Sequence, residues 1–334
     1  NGEIDYGNFE DMSVQFGSGS DIITINGSNP LGSYITTGEG DDTVNVEKIN
    51  SETTVKLGDG DDVVNIGNSN QKVDEIASVL IMSGGIGSDT LNVDDSGDTE
   101  DNTAILYDTL ITGLGMNGEI DYGNFENLDI KFGSGSDILS IDSTHQHSTT
   151  ISTGIGYDTV DVGSIAAATD IDLGSDDDTI YVGDFDQVVD NISETLTVTG
   201  GIGSDAIIID DSGDTQDNTA IVNASQITGL GMNGEIDYQD FENLDVLLGS
   251  GSDILSVETT HEELTYISTG DGSDMVNVEN ISGETSVKLG IGDDNLNIGN
   301  INQKLEDIST ALIVSGGLGE DNLNIDDSGD TEDN

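Results

Sequence analysis

Cysteine and tryptophan are absent from these 334 residues, proline occurs once, and the only six basic residues are lysines. Each absence removes a class of explanation. Without cysteine there is neither a disulfide framework nor a thiolate metal site. Six cations face 68 Asp and Glu, for a formal net charge of −62. Nucleic acid is therefore excluded as a partner, because phosphate contacts need Lys and Arg. Apolar runs fall far short of the roughly 18 residues of a membrane-spanning segment, so no membrane insertion is expected. Charges this dense repel one another within a Debye length of about 8 Å, and a compact state is strained by its own field. The chain is expected to stay disordered unless something cationic compensates it. Hard oxygen donors are what the composition offers, and these suit Ca²⁺.

What the chain does have is repetition, the first property to seek in a biased sequence. NGEIDYGNFE at Asn1 returns at Asn117 and, as NGEIDYQDFE, at Asn233, a spacing of 116 residues both times. DDSGDTEDN at Asp94 returns as DDSGDTQDN at Asp210 and again at Asp326. The expected organisation is one continuous solenoid of three repeats, 1–116, 117–232 and an incomplete 233–334. Neither end carries the atypical repeat that normally caps such an array, so the chain reads as a segment of a longer one. A finer repeat lies inside each copy. GxGxD turns begin at Gly17, Gly38, Gly58 and Gly85, then at Gly133, Gly154, Gly174 and Gly201, then at Gly249, Gly270, Gly290 and Gly317. The turn at Gly174 departs, with Asp176 in place of the second glycine. The steps are 21, 20, 27 and 48 residues, which gives about five coils per copy if the longest step holds two.

Each turn is followed by an alternating stretch, such as TVNV after Asp42 and TLNV after Asp89. A period of two buries one face of a strand and wets the other. Ile23, Ile25, Val44, Val46, Val64, Ile66, Leu91 and Val93 are therefore expected to point inward. Strands before the turns add Val14, Phe16, Val55 and Leu57. A coil with so few core residues cannot fold alone, and stacking makes the core continuous. The fold class that follows is all-β: a right-handed parallel β-helix, or β-solenoid. Gly in the turns reaches φ > 0 without steric cost and lets successive backbones approach closely. QKVDEIASVL from Gln71 has helical spacing and predicts a short flanking helix. Tyr6, Phe9, Tyr122, Phe125, Tyr238 and Phe241 recur in register and are expected to pack.

The turn plus strand resembles the nonapeptide GGxGxDxUx of the RTX (repeats-in-toxin) calcium-binding β-roll family. GGIGSDTLN from Gly84, GGIGSDAII from Gly200 and GGLGEDNLN from Gly316 carry the whole motif; the other nine turns lack its leading Gly. The resemblance implies multiple Ca²⁺ ions held between successive turns by Asp carboxylates and glycine-turn carbonyls. The implied carboxylates are Asp21, Asp42, Asp62, Asp89, Asp137, Asp158, Asp178, Asp205, Asp253, Asp274, Asp294 and Asp321. The implied carbonyls belong to Gly17, Gly19, Gly38, Gly40, Gly58, Gly60, Gly85 and Gly87 in the first copy. In the second they belong to Gly133, Gly135, Gly154, Gly156, Gly201 and Gly203. In the third they belong to Gly249, Gly251, Gly270, Gly272, Gly290, Gly292, Gly317 and Gly319. The simplest RTX roll has a metal turn every nine residues. Spacing near twenty implies instead one edge of calcium turns, with variable loops on the other. The acidic loops Asp94, Asp95, Asp98, Asp101 and Asp210, Asp211, Asp214, Asp217 suit a second metal site or, equally, an exposed cap on a coil.

No feature is singular enough to be catalytic. His145, His147 and His261 do not recur in all copies and read as surface loop residues, and no Arg is available to hold an acidic sugar. No enzyme is expected. Long repeats, absent caps and a charge that needs a divalent cation point to an extracellular or cell-surface, secreted filament or stalk that folds on calcium binding. Its expected partners are further copies end to end, and neighbouring filaments or cell-surface glycans. The stalk of a calcium-dependent adhesin or S-layer-like protein is the alternative. An ice-binding solenoid is a remote one, hinted at by Thr36, Thr37, Ile151, Ser152 and Thr153.

Overall fold

The computed structural model of the protein describes residues 11–331. Tyr6 and Phe9 lie outside them. Among the described residues there is no helix; every regular element is a strand. The chain divides into two compact units. Residues up to Ser140, with Thr144–Gly156, form the first; Ile141–Ser143, with those from Tyr157 onward, form the second.

The first unit opens with four coils, each a strand, a glycine turn and a second strand. These are β1 (Met12–Gln15) and β2 (Ile22–Asn26), β3 (Ser33–Glu39) and β4 (Thr43–Lys48), β5 (Thr53–Asp59) and β6 (Val63–Ile66), and β7 (Val79–Ile86) and β8 (Thr90–Asp94). A three-strand meander follows, β9 (Thr103–Leu106), β10 (Leu110–Gly113) and β11 (Glu119–Gly123), then β12 (Asn127–Lys131), β13 (Ile138–Ile141) and β14 (Ser148–Ser152). One sheet runs β1-β3-β5-β7-β11-β10-β9-β13, the other β2-β4-β6-β8-β12-β14. Coil-to-coil pairs are parallel, and among the described residues of this unit only β10 pairs antiparallel, with β9 and β11.

Parallel in-register pairing lines up the inward residues. Val44, Val64, Leu91 and Leu128 form one file. Val46, Ile66, Val93, Ile130 and Ile151 form another. Every member of both files is at most 1% exposed. The alternate positions face solvent, where Asn45, Asn65 and Asn92 bond amide to amide at 2.9 and 2.8 Å. The period-two reading therefore holds along the coils. Phe16 is an exception: on the outermost described coil it is 38% exposed, because no described coil covers it as its equivalents are covered.

The second unit repeats the scheme with β15 (Thr159–Val162), β16 (Thr169–Asp172), β17 (Thr179–Val182), β18 (Thr195–Thr199) and β19 (Ala206–Asp210). Its meander is β20 (Thr219–Val222), β21 (Gln226–Gly229) and β22 (Glu235–Gln239). It ends with β23 (Asn243–Leu247), β24 (Ile254–Val257), β25 (Leu264–Ser268), β26 (Met275–Val278), β27 (Thr285–Lys288), β28 (Asn295–Ile298), β29 (Leu312–Ser315) and β30 (Asn322–Ile325). One sheet is ordered β15-β17-β19-β23-β25-β27-β29, the other β16-β18-β22-β21-β20-β24-β26-β28-β30.

The helix expected from Gln71 does not form. Gln71 takes φ 57°, which ends any right-handed turn. Val73 and Ile76 are fully buried, Ile76 through a parallel bridge to Ile49. Val79 and Leu80 begin β7. The spacing that mimicked a helix is a loop that dips twice into the core and then a strand.

Candidate metal columns at the glycine turns

Successive glycine turns stack directly on one another, which explains why they need glycine. Gly38, Gly58 and Gly85 have φ of 112°, 128° and 128°. A Cβ on any of them would lie 1.9–2.0 Å from the carbonyl oxygen of the equivalent Gly in the turn before. Both constraints forbid a side chain. The carbonyls of Gly17, Gly38 and Gly58 are thus directed along the stack toward the next turn. In the second unit Gly270, Gly290 and Gly317 sit over Gly249, Gly270 and Gly290 in the same way, at 1.7–2.0 Å.

The turn Asp side chains point inward and link rung to rung. The Asp21 N–H donates to Asp42 Oδ1 at 2.7 Å, Asp42 to Asp62 at 2.7 Å, and Asp62 to Asp89 at 2.9 Å. In the second unit Asp158 donates to Asp178 and Asp178 to Asp205, at 2.7 and 2.8 Å. Asp253, Asp274, Asp294 and Asp321 form a further ladder at 2.9, 2.9 and 3.3 Å. Ten of the twelve turn carboxylates named from the sequence are at most 3% exposed; Asp21 is half-buried and Asp321 exposed. Each rung uses one carboxylate oxygen. The other, Oδ2, is buried with no hydrogen-bond partner in Asp42, Asp62, Asp89, Asp178, Asp205, Asp274 and Asp294.

These groups carry the electrostatic cost of that arrangement. Burial, offset partly by the N–H of the previous rung and increased by neighbouring carboxylates, pushes Asp89 up to about 6 and Asp178 up to about 7. Burial likewise raises Asp274 to about 6 and raises Asp62, Asp205, Asp253 and Asp294. A buried carboxylate with an unpaired oxygen costs several kcal/mol when ionised (order of magnitude).

The turns do not occupy one edge, as the spacing implied. In the first unit the turns at Gly17, Gly38, Gly58 and Gly85 lead from the sheet of β1 into that of β2. The turn at Gly133 leads back the other way, from β12 to β13. In the second unit the turns at Gly174 and Gly201 leave the sheet of β16, whereas those from Gly249 onward enter it. The meander is the physical cause. After it the chain crosses between sheets through Asn124–Glu126, which takes the place of a glycine turn, so the next GxGxD arrives half a coil later. The columns are accordingly separate. Asp89 donates not to Asp137 but to Glu126 Oε2 at 2.7 Å, and Asp205 to Glu242 Oε2 at 2.6 Å. Asp137 and Asp253 instead accept from Asn102 and Asn218, both at 2.7 Å.

This arrangement accounts for the acidic loops. Gly133 lies over the Asp98 carbonyl and Gly135 over that of Glu100, so Asp98–Asn102 is the opening turn of a column with Asn102 in the Asp position. Its carboxylates go separate ways. Asp94 holds Ser96, Asp95 accepts from the Val73 N–H, and Asp101 from the Ser136 N–H. Asp98 pairs with Lys72 and Asn102. Burial alone would raise Asp98, but those partners hold it at about 2; Asp95, buried without a cation of its own, rises to about 7. Asp210, Asp211, Asp214 and Asp217 repeat the bonds to Ser212, Val189, Asn218 and Ser252. Among the described residues no three carboxylate or imidazole side chains converge as a metal-binding group. A cation in a column would therefore draw much of its coordination from backbone carbonyls.

Sequence reasoning missed Glu126, Glu242, Asn102 and Asn218. The signal was present: Glu closes the NFE or DFE of every copy, and DTEDN aligns with GxGxD once Asn is admitted in the last place. The turn at Gly174 keeps its geometry, with Asp176 at φ 82° and Asp178 1% exposed. His145, expected on the surface, is only 8% exposed and packs edge-on against Tyr122 at 6.1 Å. Tyr122, Phe125, Tyr238 and Phe241 are core residues. Thr37 and Thr153, from the row that hinted at an ice-facing surface, are buried; the Thr37 hydroxyl donates to the Leu57 carbonyl.

No protein-family model matches the chain, and no curated protein matches it. Among solved structures it is similar to a hyperactive, Ca²⁺-dependent, β-helical antifreeze protein from an Antarctic bacterium. The identity is 16%, over 93% of this chain and 83% of that one, with a TM-score of 0.21. A superposition this loose transfers neither ligand nor activity.

Proposed function

We propose that this chain is part of an extracellular filament or stalk, stiffened by Ca²⁺ held in columns at its glycine turns. The observation that carries the reading is the file of buried turn carboxylates, in which Asp42, Asp62, Asp89, Asp178, Asp205, Asp274 and Asp294 each commit one oxygen to the previous rung and hold the other, Oδ2, buried without a hydrogen-bond partner. Such a group needs a proton or a cation at neutral pH. The donor set suits calcium: a hard carboxylate oxygen beside carbonyls directed along the stack, with no sulfur and no converging imidazoles. Asp42, Asp62, Asp89 and their equivalents would hold the ion together with the carbonyls of the stacked glycines. Calcium supplies the positive charge that the chain lacks, and its binding free energy becomes folding free energy. The net charge of −62 supports the same reading, since a low-calcium compartment would leave the chain unfolded. The GG turns keep the RTX resemblance as the family to which the turn chemistry compares. Further copies end to end are the proposed partners, because each coil presents sheet edges that another coil satisfies.

Circular dichroism with EGTA and then with excess calcium tests this. The expected result is disorder in chelator and a β-spectrum with calcium. A fold indifferent to chelator would sink the calcium role. Electron microscopy of native material tests the filament: long, thin, unbranched fibres are expected, and compact particles would overturn it.

A further inference from the structure

The doubled glycine of the motif occurs only at the last turn of each copy, at Gly84, Gly200 and Gly316. At the earlier turns, that of Gly17 with its exposed Phe16 excepted, this position holds a residue whose side chain enters the core, such as Thr37 or Leu57, both at most 1% exposed. The last turn differs in what approaches it. A Cβ on Gly84 would lie 2.0 Å from the Asn124 carbonyl oxygen and 2.6 Å from Asp89 Oδ2. In the second unit a Cβ on Gly200 would lie 2.1 Å from the Asp240 carbonyl oxygen and 3.1 Å from Asp205 Oδ2. Two acceptors therefore crowd the same small space in each case. Asp89 and Asp205 are fully buried, and neither Oδ2 has a hydrogen-bond partner. Asn124 and Asp240 hold φ of 55° and 57°, a left-handed conformation that Asn and Asp tolerate better than most residues. A second carboxylate arrives with each: Glu126 and Glu242 accept the N–H groups of Asp89 and Asp205, as the next Asp does inside a column.

We propose that the columns ending at Asp89 and Asp205 are each closed by an end site for a divalent cation, built from the Asp89 carboxylate, the Asn124 carbonyl and the Glu126 carboxylate, and again from Asp205, Asp240 and Glu242. This rests on the calcium reading above and adds ligands that lie outside the glycine turns. The longer Glu side chain spans the shorter Asn124–Glu126 connection, and Gly84 is needed because any side chain there would fill the site.

Calorimetric titration of the intact chain with calcium chloride, comparing wild type with the Glu126→Gln/Glu242→Gln double variant, tests the proposal. Gln keeps an acceptor for the Asp89 and Asp205 N–H groups. The expected result is two fewer ions bound at the calcium concentration that just saturates the wild type, with the β-spectrum retained. Equal stoichiometry and affinity in the two proteins overturns the end sites and leaves the columns standing. A wild type that binds no calcium overturns both. Should the variant lose its fold, an anomalous difference map from wild-type crystals grown in calcium decides. A peak between Asp89 Oδ2 and the Asn124 carbonyl supports the site. Peaks inside the columns without that one overturn it and favour a protonated Asp89 donating to Asn124.

Discussion

Replacing Asp62 by Asn separates a metal-binding column from a merely structural one, because the two make opposite predictions in chelator and in calcium. Asp62 is fully buried. Its Oδ1 accepts the Asp42 N–H at 2.7 Å, its own N–H donates to Asp89, and Oδ2 has no partner. Asn keeps the first two bonds and exchanges the unpaired carboxylate oxygen for an amide NH₂. In chelator at neutral pH the substitution removes a buried charge but adds donors that also need partners. The balance is a stabilisation of about 1–2 kcal/mol. In calcium the same change deletes a charged ligand. The loss is about 1.5–3 kcal/mol, or a roughly 10–100-fold higher midpoint for calcium at that rung. Urea melts in excess EGTA and in excess calcium measure both signs, with sulfate added to hold the metal-free chain folded where needed. An Asp62→Asn chain that shifts in the same direction under both conditions refutes the reasoning.

In solution stripped of calcium by a chelating resin, the fold should strengthen as pH falls from about 7 toward 4. Asp89, Asp178 and Asp274 have folded-state values raised to about 6, 7 and 6 from 3.8, so folding takes up protons in that window and stability is lost as pH rises through it. Circular dichroism against pH checks this, and a metal-free fold that strengthens with rising pH contradicts it. Gly58→Ala should cost about 2–4 kcal/mol, because φ is 128° and the new Cβ would lie 1.9 Å from the Gly38 carbonyl; a melt in calcium unchanged from wild type would show that the turns are not tightly stacked. Asp176→Gly should stabilise by about 1 kcal/mol, since Asp176 holds φ 82° where other turns use Gly; a lower denaturation midpoint would count against strain at that turn.

Much of the fold was legible because β-structure writes its register into the sequence. TVNV, VVNI and TLNV place their second and fourth residues in the two core files at most 1% exposed, and parallel in-register stacking requires nothing more than the same pattern on the next coil. The turn carboxylates were legible for a related reason: only glycine tolerates a carbonyl 2 Å from where its Cβ would be, so the glycines mark the stack and the Asp beside them marks its inner side. Two local signals misled. The spacing from Gln71 counted as helical because a loop touching the core at Val73 and Ile76 shares the three-residue step of a helix. His145 was read as surface because composition gives no warning that Tyr122 and the Glu126 turn close over it.

What the motif could not carry was phase. A period of about twenty residues fixes one turn per coil, but which edge that turn occupies depends on how many times the chain crosses between sheets before it. That parity is set by the meander β9-β10-β11 and by a short crossing through Asn124–Glu126 with no GxGxD in it. The hydrogen bonds make the change of edge explicit: Asp89 hands its N–H to Glu126, and Asp137 takes its own from Asn102. Glu closes one column and Asn opens the next, each standing where the repeat would otherwise place Asp. The identities suit those positions. A column's first rung has no earlier carboxylate to balance and can be a neutral amide. Its last rung meets a shorter connection, so the acceptor must be longer than Asp and remain anionic if a cation is shared there. The substitutions that break the GxGxD pattern are therefore as informative about the columns as the turns that keep it.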